Sequence, residues 1–509
     1  MKKKYLFFLP LVAVTLAGCN FFKWFDITKS SSMIAPTSYN LSLPQPQAED
    51  GDGYKTYKEF NYNLNNISGI NGHHYLKSVG DSKLLVVPVE LNGSLKTWDY
   101  SSRKDIEYCF FGQSSDTGWE SVSSYYRKSS YGKLNLTGQV ATTFKSNYTY
   151  AQLNANSDPD QLIANEFNDC ELYKSLRQQY DTDSDGIIDS VVFIYKEGIN
   201  INSEKNDMRW WAFVYAINAE KNLENPAVHQ YMWASYDFLL PHSASNPYGG
   251  LYMRDAHTYI HETGHLFGLD DYYSYENNNH YDPSGGQEMH SQNIGDENIF
   301  SKLLLGWIQP MVINTTNTVN IQLRTSSAYG DAIIINDSWN ESPLDEYLIL
   351  EYYSPTILNE KDAENPYAAG AQMFTTSGFR IYHIDARLVA CSKSTGKFEK
   401  RVNNLKDEDL SKYYYVIGAS NTPGRSRLKV TFEKENYKLL QMMQAGGVNT
   451  FKTGSKANNS DLFTKGSSFT AASQFFVNGN RFNNENNVGY RIDVTASEPT
   501  IGSVKITKI

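Results

Sequence analysis

Cysteine is scarce in this chain. There are four in 509 residues, at positions 19, 109, 170 and 391, too few for a disulfide framework to hold a protein of this length together. Basic charge is also in short supply, with 46 Lys and Arg against 56 Asp and Glu and a formal charge of −10. Beyond a lysine run at the N-terminus there is no basic stretch to neutralise phosphates, which argues against nucleic acid as a partner. Past the first residues, no apolar run reaches the roughly 18 residues of a membrane-spanning helix. What is abundant is aromatic: 37 Tyr, 25 Phe and 8 Trp within an apolar fraction of 40%. A chain this rich in core-forming residues folds, and its length suggests about two or three compact units.

The N-terminus reads as an export signal. Lys2, Lys3 and Lys4 precede an apolar stretch from Tyr5 to about Leu16, followed by Leu16-Ala17-Gly18-Cys19. This run is too short and wrongly flanked for a stable membrane span. Small residues directly before a cysteine resemble the lipobox of bacterial lipoproteins. That resemblance implies a signal peptide over residues 1–18, a lipid on Cys19 and an extracytoplasmic protein anchored at the cell surface or on the periplasmic face of a membrane. Residues 19–78 are rich in Ser, Asn, Gln, Pro, Asp and Gly and read as a tether, with room for a short inhibitory pro-segment. Three cysteines then remain, so at most one disulfide can form within the chain.

From Leu84 the pattern changes. Leu84 to Val89 and Ile187 to Tyr195 predict buried strands, residues 208–217 and 230–240 predict aromatic-rich strands, and Gly249-Gly250 breaks the chain. Helical spacing marks Trp119 to Tyr126, Asp255 to Leu266 and Asn298 to Leu305, the last ending at Gly306. Beyond Pro310 the chain is nearly all strand and turn, with Tyr347–Tyr352 and Gly378–Ile384 expected to pair. The expected architecture is an α+β catalytic domain over 79–310, a β-rich region over 311–400 packed on it, and a sandwich-like β-rich domain over 401–509.

Five of the ten histidines fall between His257 and His290. At their centre stands His261-Glu262-Thr263-Gly264-His265-Leu266-Phe267-Gly268-Leu269-Asp270-Asp271. On a helix, residues i and i+4 share a face, so His261 and His265 can place two imidazole nitrogens on one metal ion, and tetrahedral zinc suits them. A catalytic zinc takes a third protein ligand and leaves its fourth position to water. Gly268 can adopt positive φ and end the helix, which places the carboxylate of Asp271 to reach the same ion. Glu276, Glu288 and Glu297 are the rival third ligands, should a glutamate from a later helix serve as in thermolysin. Glu262 would act as general base on the water and pass its proton to the leaving amine. His257, one turn before His261, is expected to pack or to support a ligand, because a helix reaches one ion with two successive turns rather than three.

The pattern H-E-x-x-H-x-x-G-x-x-D is similar to that of the metzincin-type zincins, and with its surroundings it resembles the immune inhibitor A family of secreted bacterial metallopeptidases. Further matching pieces run in order through residues 80–390. They are Lys83 to Val89, Ser124-Tyr125-Tyr126 with Ser130 to Leu134, Asp183 to Asp189, Asp270 to Tyr273, Leu305-Gly306-Trp307, Glu346 to Glu351 and Gly378 to Asp385. The resemblance implies a zincin-type fold and a zinc endopeptidase acting on proteins or peptides, with its third ligand at Asp271. It also implies a methionine in a tight turn below the metal, which Met289 fits. A monomer is expected.

Asp181, Asp183, Asp185 and Asp189, with Gly186 in the turn, place oxygen ligands at alternate positions as calcium loops do. The glutamate such a loop carries at its twelfth position is Val192 here, so a calcium site competes with an Asp-rich turn before a strand. Two other classes of function compete with the peptidase: a surface lipoprotein whose degenerate domain only binds a partner, and a solute-binding lipoprotein of a transporter. Intact His261, Glu262, His265 and Asp271 weigh against the first, and the absence of two alternating α/β lobes against the second.

Overall fold

Buried on both faces, the strand Gly80–Glu90 reads as a continuous apolar run, as parallel strands between two layers do. Leu84 and Val86 enter one core while Leu85, Val87 and Val89 enter another. The computed structural model describes residues 47–48, 54–56, 75–202, 207–241, 252–276, 281–313, 318–402, 409–471, 475–476 and 479–509. The signal peptide, Cys19, Gly249-Gly250 and most of the expected tether lie outside the described residues. Among those described, no helix is long and apolar enough to cross a membrane. Cys109, Cys170 and Cys391 are unpaired thiols.

Gly80–Glu90 lies within a sheet ordered Leu134–Val140, Gly80–Glu90, Val191–Tyr195, Gln230–Ser235 and Phe213–Ala216, with Phe144–Lys145 beside its end. The first four of these strands are parallel, and the edge strand Phe213–Ala216 is antiparallel. Ile163 and Phe167 of the helix Pro159–Asp169 cover one face. The other face receives the helices Tyr100–Phe111, Val122–Ser129 and His257–Leu266 through Ile106, Val122 and Ile260.

A second sheet runs Leu440–Met442, Gly378–Asp385, Glu346–Tyr353, Ala332–Ile335, Met311–Ile313 and Tyr54–Thr56. Its strands alternate between two cores, as a period of two requires. Ile334, Ile349 and Tyr382 join the core under the helices, while Ile333, Leu348, Leu350 and Ile381 meet Val319, Ile492, Val504 and Ile506 of a third sheet. That third sheet runs Gln47–Ala48, Thr318–Arg324, Ile501–Lys508, Tyr490–Ser497 and Ser468–Thr470. The protein is therefore a mixed α/β structure with several sheets and a β-rich C-terminal region.

Two of the expected boundaries do not separate structural units. Thr318–Arg324 pairs with Ile501–Lys508, and Gly378–Asp385 pairs with Leu440–Met442, so segments on either side of residue 400 share sheets. Within the span read as tether, Gln47–Ala48 and Tyr54–Thr56 are strands paired to Thr318–Arg324 and Met311–Ile313. A buried polar cluster reinforces the join. Glu346 accepts from His383 Nε2 at 2.8 Å and from the Asn484 backbone at 2.8 Å, and Asp385 holds Arg387 and Asn483.

Arg380 and Glu351 face each other across the second sheet, both almost fully buried, at 2.8 Å. Arg380 also donates to the Gln287 carbonyl at 2.9 Å, tying the sheet to the segment before Met289. We predict that Arg380→Met lowers stability by about 3–5 kcal/mol, because it leaves a buried carboxylate uncompensated. The double variant with Glu351→Leu should recover most of the loss in chemical denaturation. A single variant as stable as wild type would remove this pair from the fold's requirements.

Candidate metal centre

Tyrosines seat the helix His257–Leu266. Tyr126 donates to the Ile260 carbonyl at 2.6 Å and Tyr259 to the Ser235 carbonyl at 2.7 Å, fastening the helix to its helical neighbour on one side and to the sheet on the other. His261 and His265 then place their Nε2 atoms 3.1 Å apart. The Nδ1 of His261 faces the Met289 carbonyl at 2.9 Å, and that of His265 faces the Leu269 carbonyl at 2.8 Å. A ring nitrogen beside a carbonyl carries the proton, so both Nε2 lone pairs are left for a shared ligand.

At Gly268, with φ +96, the helix ends and the chain doubles back, with Leu269 N donating to the Gly264 carbonyl at 3.0 Å. Asp271 Oδ1 thereby arrives 2.9 Å from His261 Nε2 and 3.4 Å from His265 Nε2. Ligands about 2.1 Å from a tetrahedral ion stand roughly 3.4 Å from one another, so these three atoms need spread only slightly to hold such an ion. Asp271 Oδ1 is buried with no hydrogen-bond partner, an acceptor that a cation would satisfy, while Oδ2 accepts from the Tyr275 hydroxyl. Burial opposes charge here, but His265 and His261 hold the Asp271 carboxyl well below its usual range. Burial likewise opposes a charged His265, yet Asp271 and Glu262 bring it up to about 10. The site is built around positive charge, and a metal ion would have to displace protons to enter.

The structure thus brings His261, His265 and Asp271 together and sets the three rival glutamates aside. Glu276 accepts from Gly424 N at 3.0 Å, Glu288 accepts from His290 N at 3.0 Å, and Glu297 lies against His290. Met289 is buried in the core and meets His261 through its main-chain carbonyl. The ring packed against both ligand imidazoles is that of His290, with centroids 4.9 Å from His261 and 5.1 Å from His265. Its Nε2 is 3.3 Å from Glu297 Oε1, and burial holds the ring below its usual pKa. A Cβ on Gly264 would fall 2.1 Å from this nitrogen. No periodicity marks His290, which looks in sequence like a companion of Met289.

Glu262 and the three ligands line a cleft of about 890 Å³. Burial pushes the Glu262 carboxyl up from its ordinary value. The walls include Tyr75, Trp211, Phe213, Tyr273, Tyr275 and Arg425. Trp211 and Phe213 fall in the predicted aromatic-rich strand region of 208–217. Tyr75 and Arg425 come from distant parts of the chain and carry no sequence signal.

His257 is not a ligand. Its ring stacks on Trp119 at 3.8 Å and on Tyr367 at 4.3 Å, with Nδ1 2.9 Å from Asp255 and Nε2 3.4 Å from Asp362. Burial disfavours its charge, but the two carboxylates raise it from 6.5 to about 10.

In the calcium-like loop, Asp181, Asp183 and Asp185 come within 4.8 Å of one another. Asp181 accepts from the backbones of Asp185 and Gly186, and Lys221 pairs with Asp185 at 2.6 Å. Asp189 stands apart from this group and accepts from Thr182. No family model matches the chain, and no curated protein matches its sequence.

Two predictions follow from this geometry. Gly264→Ala forces the His290 ring aside at a cost of about 1–3 kcal/mol and should weaken zinc binding, measured by chelator competition; wild-type affinity would separate His290 from the centre. The stabilisation from His257 is complete below about pH 6.5, its ordinary value, and falls away as pH rises toward about 10. His257→Gln should therefore flatten the decline of melting temperature across that window, and an unchanged pH slope would contradict the assignment.

Proposed function

We propose that the protein is a zinc metalloendopeptidase of metzincin-like zincin type, as its resemblance to the immune inhibitor A family implies, acting outside the cytoplasm from a lipid on Cys19. The observation that carries this reading is the convergence of His261 Nε2, His265 Nε2 and Asp271 Oδ1 in a cleft that Glu262 also lines and that borders an edge strand. Zinc held by these three residues would supply a Lewis acid that acidifies water and polarises a peptide carbonyl.

The chain's own residues divide the remaining work. Glu262 takes the proton from the attacking water and delivers it to the leaving nitrogen. Burial raises its affinity for that proton, and positive charge at His261 and His265 lowers it again, which keeps the carboxylate able to do both. The carbonyls of Met289 and Leu269 hold the two imidazoles in the required tautomer and orientation. The Tyr275 hydroxyl, by bonding Oδ2 of Asp271, leaves Oδ1 turned to the histidines.

The edge strand Phe213–Ala216 pairs on one side with Gln230–Ser235 and has no further strand beyond it among the described residues. An extended peptide can add to such an edge through main-chain hydrogen bonds, a mode that accepts varied sequences, as a protein-degrading enzyme requires. Aromatic walls at Trp211 and Phe213 would cover its side chains.

The test is chelator-sensitive cleavage of an unfolded protein substrate, with metal analysis alongside. Glu262→Gln should retain zinc and lose about a hundredfold or more in rate, while Asp271→Ala should lose zinc. Full activity in the first variant would overturn the general-base role. Unchanged zinc content in the second would move the third ligand elsewhere. A wild-type protein that binds zinc but cleaves nothing would favour a partner-binding lipoprotein.

A further inference from the structure

Arg425 is the one arginine or lysine among the described residues lining the cleft. It is exposed, it carries no ion pair among the described residues, and its guanidinium lies 4.2 Å from the centre of the Tyr275 ring. The hydroxyl of that tyrosine bonds Asp271. An exposed loop arginine ordinarily sweeps through solvent, but this one rests on a fixed support. Asn421 Nδ2 donates to the Tyr272 carbonyl at 2.7 Å, Tyr275 N to Thr422 Oγ1 at 3.0 Å, and Gly424 N to Glu276 Oε1 at 3.0 Å. These bonds lock residues 421–425 to the segment that follows the third ligand.

Stacking engages the flat face of a guanidinium and leaves its N–H edge free for bonds in its own plane, the geometry in which arginine grips a carboxylate with two parallel hydrogen bonds. No acidic residue of the cleft forms an ion pair with Arg425 among the described residues: Asp271 and Glu262 belong to the histidine cluster, Glu276 accepts from Gly424, and Asp270, near enough to feel the Arg425 charge, is not bonded to it. One tyrosine ring separates the guanidinium from the ligand carboxylate. An extended peptide advances about 3.3 Å per residue, so the cation stands within about three residues of the bond to be cut.

We propose that Arg425 is a specificity-determining residue that binds a carboxylate of the substrate, either an acidic side chain close to the scissile bond or the C-terminal carboxylate. This rests on the peptidase reading, and the experiment separates the two. Zinc-loaded full-length protein, with Arg425→Gln and Arg425→Glu, is given matched peptides carrying Asp, Asn or Lys at each of the three positions on either side of the cut, with free or amidated C-termini. Cleavage is followed as kcat/KM, and peptide affinity is measured in parallel on a Glu262→Gln background.

The expected wild-type result is a preference of about tenfold for Asp over Asn at one position, or for the free over the amidated terminus. That ratio should vanish in Arg425→Gln and reverse in Arg425→Glu, and which comparison responds identifies the source of the carboxylate. A ratio unchanged by either substitution, or a fall shared equally by all peptides, overturns the proposal while leaving the peptidase reading intact. An Arg425-dependent binding preference without cleavage upholds carboxylate recognition by Arg425 and overturns the peptidase reading. Absence of both binding preference and cleavage overturns the two together.

Discussion

Two imidazoles one helical turn apart can share an ion with a nearby carboxylate only if the chain returns over the end of its own helix. That reversal at Gly268 is the constraint on which the centre depends. Gly268 supplies the positive φ, and the ring of Tyr75 closes over it, its atoms 3.1–3.2 Å from where a Cβ would stand. The returning segment is then held from outside. Asn421, Thr422 and Gly424 fasten Tyr272, Tyr275 and Glu276, and Asn421 in turn accepts from Leu440 N at the margin of the second sheet. The position of Asp271 is thus settled by residues about 150 positions further along the chain.

For that reason the β-rich region is not an appendage to a catalytic domain. Its second sheet shares a core with the helices beneath the candidate metal centre, and its Arg380 grips the segment that leads to Met289 and His290. Sheets that mix residues from both ends of the chain couple the N-terminal strands, the centre and the C-terminal hairpin into one cooperative body. Loss of packing in the sandwich would be felt as loss of ligand geometry.

Much of the local structure was legible because it obeys simple periods. The parallel strands Gly80–Glu90 and Val191–Tyr195 announced themselves as apolar runs, and the helix His257–Leu266 together with its terminating glycine could be read from spacing alone. Tyr100–Phe111 carries no such period, because its buried apolar residues crowd into its second half. The clustering of His261, His265 and Asp271 was legible because they lie within one helix and the turn after it. Tyr75, Arg425 and the packing role of His290 were not, since contacts made across long separations leave no local period. The boundaries drawn at residues 78 and 400 failed to mark units because strand pairing joins segments that composition keeps apart.

The close approach of His290 to Gly264 has a further meaning for how such a site can diverge. In the pattern H-E-x-x-H the two inner positions are written as free, yet here the second has no freedom at all, because a ring nitrogen occupies the volume its side chain would need. Residues 264 and 290 therefore form a single inherited character. A smaller residue at 290 would release position 264 to vary, and a side chain at 264 would demand a smaller residue at 290, so related sequences with a side chain at 264 should also differ at 290.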